Sequence, residues 1–231
     1  MSGPLITDLP LWERHVERVL ENLRSALLCL RANTPQGDEL KLNRELYLCM
    51  LEVNAANQKS GDFYFEHGPI PEGQNPPTPE TEDSASERKI PDLRWEYIDH
   101  RSSDGRRGVR SFTIECKRLW CQASSGRYVK EGVCRFVSPD SRYGNGVAAG
   151  AMVGYIESLT LLQIVAQVNT TLQSLSLPTL SKPSRPSSAL IEMEHLLSRP
   201  FKVSPFRLLH FWIDIRPTGG RTKPVGNVPQ P

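Results

Sequence analysis

Asp92, Glu115 and Lys117 place two carboxylates and an ammonium in apolar surroundings, within Pro91-Asp92 and Ile114-Glu115-Cys116-Lys117. Glu115 follows Asp92 by 23 positions, and Lys117 follows Glu115 by two. Along an extended strand successive side chains point to opposite faces, so Glu115 and Lys117 share one face and Cys116 points away. Two hard carboxylates can hold a Mg²⁺ that keeps several waters and also contacts a substrate phosphate. Such an ion lowers the pKa of a bound water and neutralises charge developing on phosphoryl oxygens. A lysine alongside orients that water or steadies the developing anion. These are the parts of a phosphodiester hydrolase. The same residues also have a plainer reading. Glu115 and Lys117 could be a solvated charge pair worth roughly a few tenths of a kcal/mol, and Asp92 an acid that opens a turn.

Bringing Asp92 to Glu115 requires two paired arms. Leu93–His100 and Val109–Leu119 are predicted as antiparallel strands, with Phe112 and Ile114 giving the second an apolar character. The turn-rich stretch between them contains Asp104-Gly105. Two helices precede the arms. The first opens near Asp8 with the apolar series Trp12, Val16, Val19, Leu20, Leu23, Leu27 and Leu30; the second covers 38–57 with Leu42, Leu46, Cys49, Met50 and Val53. On the second helix Glu39 falls inside the apolar stripe, while Glu45 and Glu52 lie towards its edge. An acid so placed either complements the helix dipole or belongs to a site, and Glu45 stays open beside Glu39.

Downstream, Tyr128–Val137 is predicted as a helix with Tyr128, Val129, Val133, Phe136 and Val137 inward and Arg127, Lys130, Glu131 and Arg135 on other faces. Ala151–Ile156 reads as a buried parallel strand, which completes a right-handed β-α-β unit. A helix over Glu157–Leu175 (Leu159, Leu162/Gln163, Ala166, Thr170) and a strand over Phe206–Ile215 follow, and Ile191–Leu197 fits a strand or a short helix.

With Pro91-Asp92 and Glu115-Cys116-Lys117 in this order, the sequence resembles the PD-(D/E)xK nuclease superfamily, which includes many restriction endonucleases. The likeness in motif covers residues 39–156. It implies a restriction-endonuclease-like α/β fold, a mixed β-sheet flanked by helices, and a Mg²⁺-dependent endonuclease in which Mn²⁺ is a possible substitute. By that resemblance Asp92 and Glu115 bind the metal, Lys117 positions the attacking water, and Glu39 is a third metal ligand. A basic side chain from the helix after the E-x-K strand supports the site, with Lys130 and Arg135 as candidates. DNA is the implied nucleic acid, and bacterial restriction or antiviral (anti-phage) defence the implied setting. A protein partner supplying specificity or activation, or a homodimer, would suit such an enzyme. The alternative is a non-catalytic nucleic-acid- or partner-binding module on the same fold.

At 231 residues and 38% hydrophobic the chain can bury one substantial core. Three parts are expected: a helical extension over 1–37, a nuclease-like α/β domain over 38–216, and a disordered tail over 217–231. Within the domain, the proline-rich, acidic stretch 66–89 is expected to be a disordered insertion. The formal net charge of +2 hides an uneven distribution, because residues 94–142 hold 11 Lys/Arg against 6 Asp/Glu. A polyanionic substrate would favour that local excess.

The five cysteines contain no C-x-x-C pair, and Cys29 and Cys49 sit in apolar helical patterns. Reduced thiols and a cytoplasmic protein follow. The most apolar run, Val147–Ile156, is too short to span a bilayer. The glycine-rich segment 144–156 lacks a P-loop ending, no G-x-S-x-G elbow is present, and the histidines have no zinc spacing. His210 is expected to be a core histidine. Trp95 and Tyr97 suit core packing, or stacking on bases.

Overall fold

The computed structural model describes residues 11–33, 35–72, 90–98, 109–181, 189–200 and 203–216. Helix α1 (Leu11–Ala32) buries the whole expected stripe from Trp12 to Leu30. Helix α2 (Glu39–Ser60) starts where the Asp38 carboxylate accepts the Lys41 amide at 2.9 Å, a side-chain cap on an otherwise unpaired helix end. The strands are β1 (Ile70–Pro71), β2 (Leu93–Ile98), β3 (Val109–Leu119), β4 (Ala149–Ile156), β5 (Leu190–Leu197) and β6 (Phe206–Asp214). Between β3 and β4 the chain is helical in three joined parts: α3 (Gln122–Arg127), a π-helical stretch (Tyr128–Val133) and α4 (Cys134–Val137). Helix α5 (Leu161–Ser174) joins β4 to the last two strands.

The six strands form one mixed sheet in the order β1-β2-β3-β4-β6-β5, flanked by helices, so the chain is α/β. The two arms pair antiparallel from Leu93 with Ile114 to Ile98 with Val109, as expected. The Asp104-Gly105 turn between them lies outside the described residues. Strand β4 runs parallel to β3 and to β6, and β5 closes the sheet antiparallel to β6. The register puts Glu115 beside Met152 and His210, and Lys117 beside Gly154 and Trp212, all on one face. That face is covered by α3 and the π-helical stretch, against which α5 packs. Cys116, Val153, Tyr155 and Phe211 point to the other face, under α1 and α2, where the Tyr155 hydroxyl donates to Asn43 at 3.0 Å. Close packing needs small residues in β4. A Cβ on Gly150 would come within 2.8 Å of Phe136 and 3.0 Å of Phe206.

Several expectations change. The buried face of α1 belongs to the same hydrophobic cluster as the sheet. Residues Ile70–Pro71 of the expected disordered insertion pair with β2; residues 73–89 and the tail 217–231 lie outside the described residues. The helix before β4 starts at Gln122, six residues early, because Cys121 and Ser124 form a reciprocal cap. Ile191–Leu197 resolves as strand, with burial alternating residue by residue. Helix α5 starts at Leu161, not Glu157, because Thr160 and Gln163 form a capping box there. Its inward face is Ile164, Val168, Thr171 and Leu172, while Leu162 is 78% exposed.

That reassigned face sets a stability test. Ile164→Ala should cost about 2–5 kcal/mol, as a large-to-small change at a fully buried site. Leu162→Ala should stay within about 0.5 kcal/mol. Urea unfolding of both variants checks the ranking, and equal costs would contradict the packing described.

Candidate active site

The pairing of β2 with β3 starts at Leu93–Ile114, so among the described residues Glu115 to Leu119 of β3 have no strand on that side. Asp92, one residue ahead of β2, turns its carboxylate into the gap and accepts the Cys116 amide at 2.7 Å. Glu39, the first residue of α2, accepts the Arg118 amide at 3.2 Å. Two acids thus take the two edge amides that a further strand would have paired.

Lys117 gathers the cluster. Its Nζ lies 2.8 Å from Glu39 Oε1, 2.9 Å from Glu115 Oε1 and 3.9 Å from Asp92 Oδ2, and donates to the Cys116 carbonyl at 2.8 Å. Arg135, on α4, donates to Glu115 Oε1 at 2.6 Å and to the Tyr143 hydroxyl at 3.1 Å. Glu115 is fully buried. Its second oxygen, Oε2, is buried and accepts no hydrogen bond among the described residues.

The electrostatics follow from that burial. Loss of water, and then the neighbouring Asp92 charge, push the Glu115 carboxyl up to about 7 against the pull of Lys117 and Arg135. Burial also raises Asp92, opposed by Lys117 and by the Cys116 amide. Lys117 is held above the ordinary lysine range, because the carboxylates, Glu115 foremost, outweigh the burial that opposes them. Three acids, Asp92, Glu115 and Glu39, face two cations, Lys117 and Arg135, so the site carries a negative surplus once Glu115 is ionised.

The donors suit a hard cation. Asp92 and Glu115 supply carboxylate oxygens, and an unpaired buried anionic oxygen such as Glu115 Oε2 is what a bound cation completes. Glu39 departs from the expected role. It does not crowd into one cluster of ligand atoms with Asp92 and Glu115, but holds Lys117 and the end of β3. Glu45 is excluded from the cluster, since it pairs with Arg44 at 2.9 Å.

Of the two basic candidates, Arg135 reaches the site and Lys130 faces solvent. Tyr143 was missed, because its loop position carries no periodic signal. Trp95 is buried, with its indole donating to the His67 carbonyl at 3.1 Å, and Tyr97 packs against the core, so neither is a stacking platform. His210 is a core histidine as expected, its Nδ1 2.7 Å from the Tyr128 hydroxyl.

A cleft of about 420 Å³ opens beside Lys117, walled by Glu39, Arg118, Trp120, Arg127 and Glu131. Trp120 is 45% exposed. The basic excess of 94–142 is partly consumed inside the fold: Arg94 pairs with Glu96, Arg118 with Glu157 and Arg135 with Glu115. Arg101, Arg106 and Arg107 lie outside the described residues. No helix among the described residues is long and apolar enough to cross a membrane. In comparisons with known proteins, no family model matches the chain, no curated protein matches its sequence, and no solved structure matches its fold.

The raised Glu115 carboxyl gives a pH signature. Because the folded state keeps this proton more tightly than the unfolded chain, the associated stability is fully present below about pH 4.5. It is lost as pH rises through about 7. In chelator, stability of the wild type should therefore fall across that window relative to Glu115→Gln. Parallel pH profiles from urea unfolding of the two proteins would contradict the assigned burial.

Proposed function

We propose that this protein is a metal-dependent phosphodiesterase of the PD-(D/E)xK type that cleaves nucleic acid, with DNA the favoured substrate. The observation that carries the reading is the Lys117 ammonium held among Asp92, Glu115 and Glu39, beside a buried Glu115 oxygen without a partner. The mixed sheet flanked by helices is compatible with a restriction-endonuclease-like fold. The choice of DNA, and a role in restriction or anti-phage defence, rest on the motif resemblance.

Asp92 and Glu115 would hold Mg²⁺, or Mn²⁺ in its place. When bound, the ion supplies an acidified water and screens charge on the phosphate. Lys117 directs the attacking water and stabilises the anion that develops as the phosphorus–oxygen bond breaks. Arg135 acts through Glu115, keeping one carboxylate oxygen engaged while the other stays open. Glu39 fixes Lys117 in place through its 2.8 Å contact. The cleft beside Lys117 gives a nucleotide room to approach, with the Trp120 indole exposed at its wall.

The test is cleavage of supercoiled plasmid, linear duplex, single-stranded DNA and RNA in Mg²⁺, Mn²⁺ or chelator. Cutting should require metal and should fall about 10²-fold or more in Glu115→Ala, Asp92→Ala and Lys117→Ala. Arg135→Ala should be impaired less, because it touches Glu115 and not the substrate. Metal-independent cutting, or full activity in Lys117→Ala, would refute the assignment. Binding of nucleic acid that persists in Glu115→Ala, without cutting by any folded form, would instead favour a non-catalytic module.

A further inference from the structure

On the far side of the α1–α2 helix pair, the ligand atoms of Cys29, Cys49 and Glu52 lie within 4.8 Å of one another. Asn33 stands in the turn just after α1, its amide bonded to the Cys29 carbonyl at 3.1 Å, and Cys49 and Glu52 are three apart on one face of α2. The Cys29 thiol donates to Glu52 Oε2 at 3.7 Å. The Asn33 side-chain amide reaches both sulfurs, at 3.9 Å from Cys29 and 3.8 Å from Cys49. In a tetrahedral zinc site with zinc–sulfur bonds near 2.3 Å, neighbouring ligand atoms stand about 3.8 Å apart. Three of the six edges of such a tetrahedron, Cys29–Glu52, Cys29–Asn33 and Cys49–Asn33, match that length. The amide nitrogen and oxygen of Asn33 exchange places by a rotation about one bond, so the fourth corner can present an oxygen.

We propose that Cys29, Cys49 and Glu52 form a binding site for a thiophilic divalent cation, zinc foremost, with the Asn33 amide at the fourth corner. Thiolates select soft or borderline metals, which separates this site from a hard carboxylate site for Mg²⁺. A bound cation would take both sulfurs as thiolates and release the thiol protons to solvent. Its ligands come from both helices, so it would clamp α1 to α2. Cys49 is buried while Cys29 is half-buried and Glu52 exposed, which leaves a route in from solvent.

The experiment is a Co²⁺ titration of the full, reduced chain, followed by displacement with Zn²⁺. Wild type should take up one equivalent and develop the sulfur-to-cobalt charge-transfer band together with the intense visible bands of tetrahedral cobalt. Both should vanish in Cys29→Ser and Cys49→Ser. Glu52→Ala, an exposed change that leaves the core alone, should weaken cobalt affinity about 10-fold or more. Bound Zn²⁺ should also protect two thiols from alkylation in the wild type. Absence of the sulfur band in folded, reduced wild type would overturn the proposal. So would a band unchanged in Cys29→Ser, or a Cys29–Cys49 disulfide found in place of metal. The readout is independent of nucleic-acid cleavage, so this site and the nuclease reading stand or fall separately.

Discussion

The open edge of β3 beyond Ile114 is the constraint on which the site depends. A sheet edge presents backbone amides that must find acceptors, and here no strand among the described residues supplies them. Asp92 and Glu39 answer Cys116 and Arg118, alternate residues whose amides point to the same side. Once those two bonds form, both acids are fixed relative to β3. The period of the strand then puts Glu115 and Lys117 on one face, so the cluster assembles from backbone geometry. Three separate pieces of chain, the start of α2, the start of β2 and the middle of β3, converge without a dedicated loop.

Stability alone does not account for what has been buried. Glu115 is fully enclosed and Lys117 nearly so, and removing such charges from water is expensive even when they are paired. Apolar side chains of similar volume often stabilise a fold as well as a buried ion pair does, or better. Here the charged side chains remain, three acids against two cations, with one Glu115 oxygen left without a partner among the described residues. A buried acceptor beside a proton donor is the arrangement that the proposed metal-dependent hydrolysis would use.

Much of this arrangement could be read from the sequence because it follows short-range rules. The alternation of Phe112, Ile114 and Cys116 shows the strand, and the two arms bring Asp92 to Glu115. Glu39 stood out because an acid interrupted an apolar stripe. Distinguishing Arg135 from Lys130 was beyond periodicity, because the π-helical stretch at Tyr128–Val133 intervenes. A π turn in effect inserts a residue and rotates later positions by about 100°, so an unbroken wheel misplaces them. Gly132 lies within that stretch, where even a Cβ would press on the Met152 side chain. On α5 the apolar residues are dense enough to support more than one stripe, and only packing against α3 and the π-helical stretch selects Ile164, Val168 and Leu172.

Helix α2 carries two unlike donor sets, ten residues apart from Glu39 to Cys49, or about 15 Å at 1.5 Å per residue. Its first residue belongs to an oxygen-rich cluster and its middle to a sulfur-rich one. If both proposed sites bind cations, ligands so separated would discriminate between them by donor type. The separation also has a mechanical consequence. Glu39 occupies a helix end, the part most prone to fray, and its hold on Lys117 is only as firm as the placement of α2. That placement comes from α1, which packs along α2 and shares the thiol cluster with it. Whatever tightens the α1–α2 contact therefore tightens the position of Glu39, and through it the lysine at the centre of the site.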